Sequence, residues 1–314
     1  MTNNAEYDLI IGAGPLGLAV ARELERRGRA VKIGTRTGTG SDTTRSYLRV
    51  DLQLPSANAG ELAGARTVFV CCAPAYWRWK QELVPMVTNA LVLARQLNAP
   101  LVFADNMYAY GRARMPLTET TPYNPHGDKG TARKDAAELL LTEHQSGRVK
   151  TAIVRASDFY GPQVARSMLA LNVFRDLASG RRVKRLGDID AEHSFTFIGD
   201  FARSLVNVAL NPDCHGQVWH ASTPPAVSMR EMSKLIAQAS GMTAKFLVAP
   251  GWLFYMFGMF DPSMRELREV YYQSSAPFVV DSSKYRARFN EDATPIDTAI
   301  RQTLASIAVN PSTT

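Results

Sequence analysis

Three glycines at fixed offsets, in Gly12-Ala-Gly14-Pro15-Leu16-Gly17, stand directly after the apolar run Tyr7 to Ile11 and directly before the Ala-, Leu- and Arg-rich stretch Leu18 to Arg27. A G-x-G-x-x-G spacing carries weight only between a strand and a helix, and that is its setting here. Gly12 permits a tight turn, Gly14 lets backbone approach a pyrophosphate, and Gly17 lets the helix pack close, with the N-terminal amides facing the phosphates. Pro15 and Leu16 complete the loop, and Gly28 ends the helix. The pattern predicts a dinucleotide site.

The end of the second strand, Ala30 to Gly34, discriminates between dinucleotides. A carboxylate there would accept the ribose 2′-hydroxyl of NAD, whereas this chain has Thr35 and Arg36. A guanidinium can pair with a 2′-phosphate through two hydrogen bonds, and Thr35 can add a hydroxyl, so NADP is expected. If Arg36 is only an exposed loop arginine, NAD is the alternative.

Further along, Thr67 to Cys72, Leu101 to Ala104 and Thr151 to Arg155 read as buried strands, and Val84 to Asn98, Ala132 to Gln145 and Phe201 to Leu210 as helices. Strands alternating with helices of this length imply a parallel sheet covered on both faces. The expected fold class is α/β, a Rossmann-type doubly wound parallel sheet with a small, interleaved C-terminal substrate lobe. Residues 1–162, with return segments near 195–222, are assigned to the dinucleotide-binding domain, and 163–194 and 223–314 mainly to the lobe. Strand-like sequence around Gln217 to Ala221 motivates the interleaving, and the aromatic crowd from Trp252 to Phe278 motivates the lobe.

The net charge of +7 over 314 residues comes from scattered Lys and Arg without a nucleic-acid motif, so it reads as solvated basic faces or as a match for anionic substrates, and nucleic acid is not expected. The three cysteines, Cys71, Cys72 and Cys214, spell neither a disulfide framework nor a zinc site, and no metal is expected. A reducing cytoplasm fits this usage. The N-terminal residues lead straight into a strand, and the apolar stretch Trp252 to Phe260 is too short to span a bilayer, so no membrane span is expected.

Several later segments recur in a known order. Asp51-Leu52 resembles an Asp-hydrophobic pair beside an adenine, Cys72-Ala73-Pro74 stands where Asn-Ala-Gly approaches a cofactor, and Asn89 sits in the following helix. Phe103 to Gly111 resembles Ser-Ser-x-x-Val-Tyr-Gly, and Arg155 to Pro162 resembles the segment that approaches a nicotinamide, with Asp158 and Tyr160 in it. Phe195 to Asp200 resembles Phe-Val-x-Val-x-Asp. Over nearly its whole length the chain thus resembles the extended short-chain dehydrogenase/reductases, the NAD(P)-dependent epimerase/dehydratase group. The resemblance implies a nicotinamide cofactor, a small-molecule substrate and a homodimer formed through paired helices.

That family normally transfers a proton from a Tyr whose pKa is lowered by a Lys four residues later, with a Ser or Thr orienting the carbonyl. No Tyr-x-x-x-Lys occurs in this chain; the resemblance puts Asn106 at the Ser position, Lys129 near the Tyr and Arg133 near the Lys. Three readings stay open. Hydride transfer survives with Tyr108, Tyr110 or Lys129 as acid, Asn106 on the carbonyl and Arg133 on the cofactor. Alternatively, Lys129, Asp105 or His193 performs non-redox isomerisation, cyclisation or elimination, or the chain senses a cofactor without turnover. His193 replaces an Arg directed at the diphosphate of nucleotide sugars, which weakens that substrate class and leaves Arg166, Arg181 and Arg182 as anion contacts. Tyr76, Trp77, Trp79, Phe159, Tyr160 and the Trp252 to Phe260 stretch suit an apolar or aromatic substrate.

Overall fold

Tyr7–Ile11 is buried at every position, so this strand has no exposed face and belongs inside a sheet covered on both sides. The computed structural model describes residues 6–40, 42–54, 59–249 and 269–309. The chain runs β1 Tyr7–Ile11, α1 Pro15–Arg26, β2 Val31–Thr35, β3 Ser46–Arg49, β4 Ala65–Val70, α2 Trp79–Gln96, β5 Leu101–Asn106, α3 Gly127–Gln145 and β6 Thr151–Ala156. Next come β7 Asp158–Tyr160, α4 Leu171–Ala178, β8 Arg182–Leu186, β9 Glu192–His193, β10 Phe195–Phe197, α5 Ile198–Leu210 and β11 Val218–His220. After these lie β12 Val227–Ser228, α6 Met229–Gln238 and β13 Lys245–Ala249, then helices Tyr272–Ser275, Ser283–Phe289 and Ile296–Val309.

Seven strands form one sheet in the order β11-β6-β5-β4-β1-β2-β3, with every neighbouring pair parallel. This is the Rossmann-type α/β sheet expected, with flanking helices. The chain forms two compact units, the first comprising residues 1–109, 128–156 and 201–221, and the second 110–127, 157–200 and 222–314. Short pairs organise the second: β7 with β10 and β8 with β13 in parallel, β9 with β12 antiparallel. Phe174, Phe195, Phe278 and Tyr285 are among its buried rings.

Three elements differ from the sequence reading in ways that matter for the site. β3 carries Ser-Tyr-Leu-Arg with no apolar run, and its pairing with β2 gives it strand form. α2 starts at Trp79 and passes through Pro85, because Trp79, Leu83 and Met86 extend its buried face upstream. α3 starts at Gly127, which places Lys129 inside the helix. The Trp252 to Phe260 stretch lies outside the described residues. Among the described residues no helix is long and apolar enough to cross a membrane, and no cluster of His, Cys, Asp or Glu is arranged to hold a metal ion.

Candidate active site

The strand order reverses between β1 and β4, so the chain leaves both strands at neighbouring positions of one sheet edge. Ligands of open α/β sheets bind at such an edge. Gly12 there has φ +115°, a conformation L side chains rarely adopt, and a Cβ on Gly17 would stand 1.9 Å from the Gly12 carbonyl oxygen. Gly14 is not demanded by the backbone. Its backbone is extended (φ −74°, ψ 177°), it caps α1 without a side chain, and a Cβ on it would meet no atom within 4 Å. Pro15 opens the helix, where its missing N–H breaks no helical bond, and Leu16 is buried. The first-turn amides therefore adjoin open space, and this loop fits the pyrophosphate of a dinucleotide.

At the end of β2 the Thr35 hydroxyl donates to the Thr39 carbonyl at 2.9 Å, so its proton is engaged within the turn. Arg36 is exposed and has no hydrogen bond or ion pair among the described residues, while its charge acts on Cys72. Arg49, also exposed, faces Thr35 in the β2–β3 register; the sequence reading missed it because β3 was not recognised. Asp51 accepts the Gln53 N–H at 3.0 Å, and Asn89 Nδ2 donates to the Leu52 carbonyl at 2.9 Å, fastening that loop to α2. Burial pushes the Cys72 thiol up to about 11 against the pull of Arg133 and Arg36, so the thiol is neutral at pH 7. After Ala73, the Pro74 carbonyl accepts the Trp79 indole N–H at 3.0 Å.

Beyond this loop a charged cluster lies at the end of β5. The buried Asp105 accepts from Arg155 Nε at 2.9 Å on one oxygen and from Arg133 Nη1 at 3.1 Å on the other. Two guanidinium groups thus share this carboxylate. Arg133 lies 4.0 Å from the Trp79 ring and 5.7 Å from that of Phe103. Its guanidinium is pulled below its ordinary value by burial, opposed by Asp105 and Tyr108. Asn106 Oδ1 accepts the Tyr108 N–H at 3.0 Å, leaving its NH₂ group to donate elsewhere. The Tyr108 hydroxyl accepts from that of Tyr76 at 3.4 Å, and both rings pack on Trp79, at 5.9 and 5.0 Å. Lys129 is 4% exposed, with its ammonium 4.8 Å from the Tyr76 ring centre, so it is no solvated residue ahead of a helix.

The first unit thus gathers Asn106, Tyr108, Lys129 and Arg133. It also holds Tyr76 and Trp79, which the sequence offered as walls for an apolar or aromatic substrate; Trp77, between them, is 67% exposed. Asp105 has both oxygens occupied by arginines. Its pairing with Arg155 escapes sequence reading because nothing marks an arginine in a strand as fully buried.

In the second unit, Tyr110 is buried against Tyr123, and Tyr160 is enclosed by Phe174 and Phe197. Burial and Asp200 both push the Tyr160 phenol up. Asp158 meets His193 Nε2 at 2.9 Å, while His193 Nδ1 lies 3.2 Å from the Gln273 carbonyl oxygen and its ring between those of Phe195 and Phe278. His193 is therefore a fully partnered histidine.

The sequence model of the NAD dependent epimerase/dehydratase family matches residues 9–220. Among solved structures, a UDP-glucose 4-epimerase of Thermus thermophilus in complex with NAD is similar, at 18% identity and TM-score 0.77 over 96% of this chain and 99% of that one. A dTDP-glucose 4,6-dehydratase of Bacillus anthracis in complex with NAD aligns at 14% identity and TM-score 0.76 over 98% of each chain. A protein described as a putative epimerase of Burkholderia cenocepacia aligns at 19% identity and TM-score 0.77 over 97% of this chain and 98% of that one. These likenesses show the shared fold. No curated protein sequence matches the chain. With its glycine loop, parallel sheet and matched residues in agreement, the chain belongs to the NAD dependent epimerase/dehydratase family, a family of nicotinamide-dependent enzymes.

Proposed function

We propose that this chain is an NADP-dependent oxidoreductase or epimerase-like enzyme for a carbonyl-bearing small molecule, with Tyr108 as the proton-transferring residue. The grouping of the Tyr108 hydroxyl with Asn106, Lys129 and Arg133 at the end of β5 carries this reading. Asn106 Nδ2 donates to the carbonyl oxygen of the substrate. As that oxygen gains negative charge, Tyr108 passes it a proton, and the Tyr76 hydroxyl and the positive charges of Arg133 and Lys129 stabilise the phenolate left behind. The nicotinamide, when bound, supplies or takes up the hydride.

Gly12, Gly14, Pro15, Leu16 and Gly17 would hold the pyrophosphate, Asp51 and Leu52 the adenine side, and Cys72, Ala73, Pro74 and Arg133 the middle of the cofactor. The resemblance assigns Asp158 and Tyr160 to the nicotinamide side. Arg36, with no hydrogen bond or ion pair among the described residues and close enough to act on Cys72, supports a 2′-phosphate; Thr35 supplies its turn. Of the three residues offered for the non-redox reading, Asp105 and His193 are held by protein partners, so that reading rests on Lys129.

The decisive experiment follows NADPH oxidation with a panel of carbonyl substrates in single-turnover mode. Tyr108→Phe is expected to lower the rate roughly 10²- to 10⁴-fold while leaving the melting temperature near wild type. Wild-type turnover in that variant would overturn the assignment, and loss in Lys129→Met alone would move it to Lys129. In a parallel titration of both cofactors, Arg36→Ala should weaken NADP binding about ten- to a hundredfold and leave NAD binding unchanged. An equal effect on both would remove the 2′-phosphate argument.

A further inference from the structure

Arg133 reaches the end of β5 from α3 and is 5% exposed, and the protein fixes its guanidinium from several sides. Asp105 accepts from Nη1 at 3.1 Å, and Arg155 Nε, at 2.9 Å on the other oxygen, keeps that carboxylate from turning away. The guanidinium carbon lies 4.0 Å from the Trp79 ring centre, and the Trp79 indole N–H is itself tied to the Pro74 carbonyl, so the ring is held as well. A planar guanidinium that lies on an aromatic face and is tethered to one carboxylate has lost the freedom of a long side chain before any ligand arrives.

Its nitrogens are not equivalent. Nη1 is engaged by Asp105, and Nε is shut off from solvent with no partner among the described residues. Nη2 is neither enclosed nor bonded among the described residues, which makes it the donor left to a ligand. Cys72 marks what lies beside it. The charge of Arg133 acts on the Cys72 thiol, as does that of Arg36, and Cys72 Cβ stands 3.0 Å from where a Cβ on Gly12 would lie. Arg133 therefore stands beside the cradle that the glycine loop forms.

We propose that Asp105 and Trp79 are positioning residues for cofactor binding: they hold the Arg133 guanidinium so that Nη2 donates to the bound dinucleotide. This rests on the assignment of Arg133 to the cofactor and adds the two side chains that fix the contact in advance, which lowers the ordering cost of forming it.

The test is a double-mutant cycle on the affinities for NADPH and NADH, read from cofactor fluorescence, with the melting temperature of each variant recorded. Arg133→Met should weaken binding about tenfold or more. Asp105→Asn and Trp79→Leu should each weaken it at least about fivefold beside Arg133, yet by less than about twofold in the Arg133→Met background. Asp105→Asn removes a negative charge, which by charge alone would tighten the binding of an anionic dinucleotide, so weakening there reports the lost tether. If Asp105→Asn fails to fold, Trp79→Leu decides, since it leaves both ion pairs of Asp105 in place. Losses that simply add to that of Arg133→Met, or unchanged binding in the single variants of Asp105 and Trp79, would overturn the inference while leaving Arg133 on the cofactor. Unchanged binding in Arg133→Met would remove Arg133 from the cofactor, and the inference with it.

Discussion

A Cβ on Gly17 would collide with the Gly12 carbonyl oxygen, whereas one on Gly14 would enter open space from an ordinary extended backbone. The two substitutions should therefore fail differently. Gly17→Ala is expected to destabilise the fold by about 1–3 kcal/mol or more. Gly14→Val should melt close to wild type yet bind neither NADP nor NAD, since its side chain occupies the ground in front of α1. Melting curves with and without cofactor separate these outcomes, and cofactor stabilisation of Gly14→Val would contradict the assignment of that space. At Asp105, replacement by Ala leaves Arg155 and Arg133 buried without their shared carboxylate, at a cost of about 3–5 kcal/mol. Chemical denaturation measures this, and a change below about 1 kcal/mol would show that the cluster relaxes. The glycines were legible because they stand at fixed offsets between a strand and a helix, with Gly12 and Gly17 demanded by backbone geometry and close packing. The Asp105 pair was not, because its partners arrive from α3 and β6, far along the chain.

The region where α3 ends beside β6 and β11 carries a titration of its own. His144 Nδ1 accepts the Thr151 N–H at 3.2 Å, which requires that nitrogen unprotonated. Burial holds His144 below its ordinary 6.5, helped by Lys150. Burial also lowers His215, helped by His144 and Lys150 and opposed by the Ala209 carbonyl and Asp213. With folded values below the unfolded one, protons bind the unfolded chain more tightly. The associated stability is complete above about pH 6.5 and is lost as pH falls through the lowered values. The melting temperature should accordingly fall between about pH 6.5 and 5, and fall less in His144→Asn, which keeps an acceptor that does not titrate. A flat profile in the wild type would refute this. Periodicity revealed α3 and β6 because their buried runs are long, but it missed the helical turn carrying Lys129, where polar residues and glycine precede the apolar face. β3 stayed hidden for a related reason: four residues, half of them polar, become a strand only through the neighbour they pair with.

Across the whole chain, the alternation of strands and helices revealed the parallel sheet because each of its long strands carries its own apolar signature. The second unit is built on pairs of two to five residues, β7 with β10, β8 with β13 and β9 with β12, which leave little pattern in sequence. Arg185 illustrates the consequence: within Arg181-Arg182-Val183-Lys184-Arg185 it reads as one surface charge among several, and only the fold distinguishes the guanidinium whose donors are enclosed. The interleaving of the units also bears on how the protein is made. β11 completes the sheet beside β6, yet residues 157–200 of the second unit are translated between them. While the nascent chain lengthens from its N-terminus, β6 remains an open edge able to pair with a foreign strand, and only the emergence of Val218–His220 from the ribosome closes it.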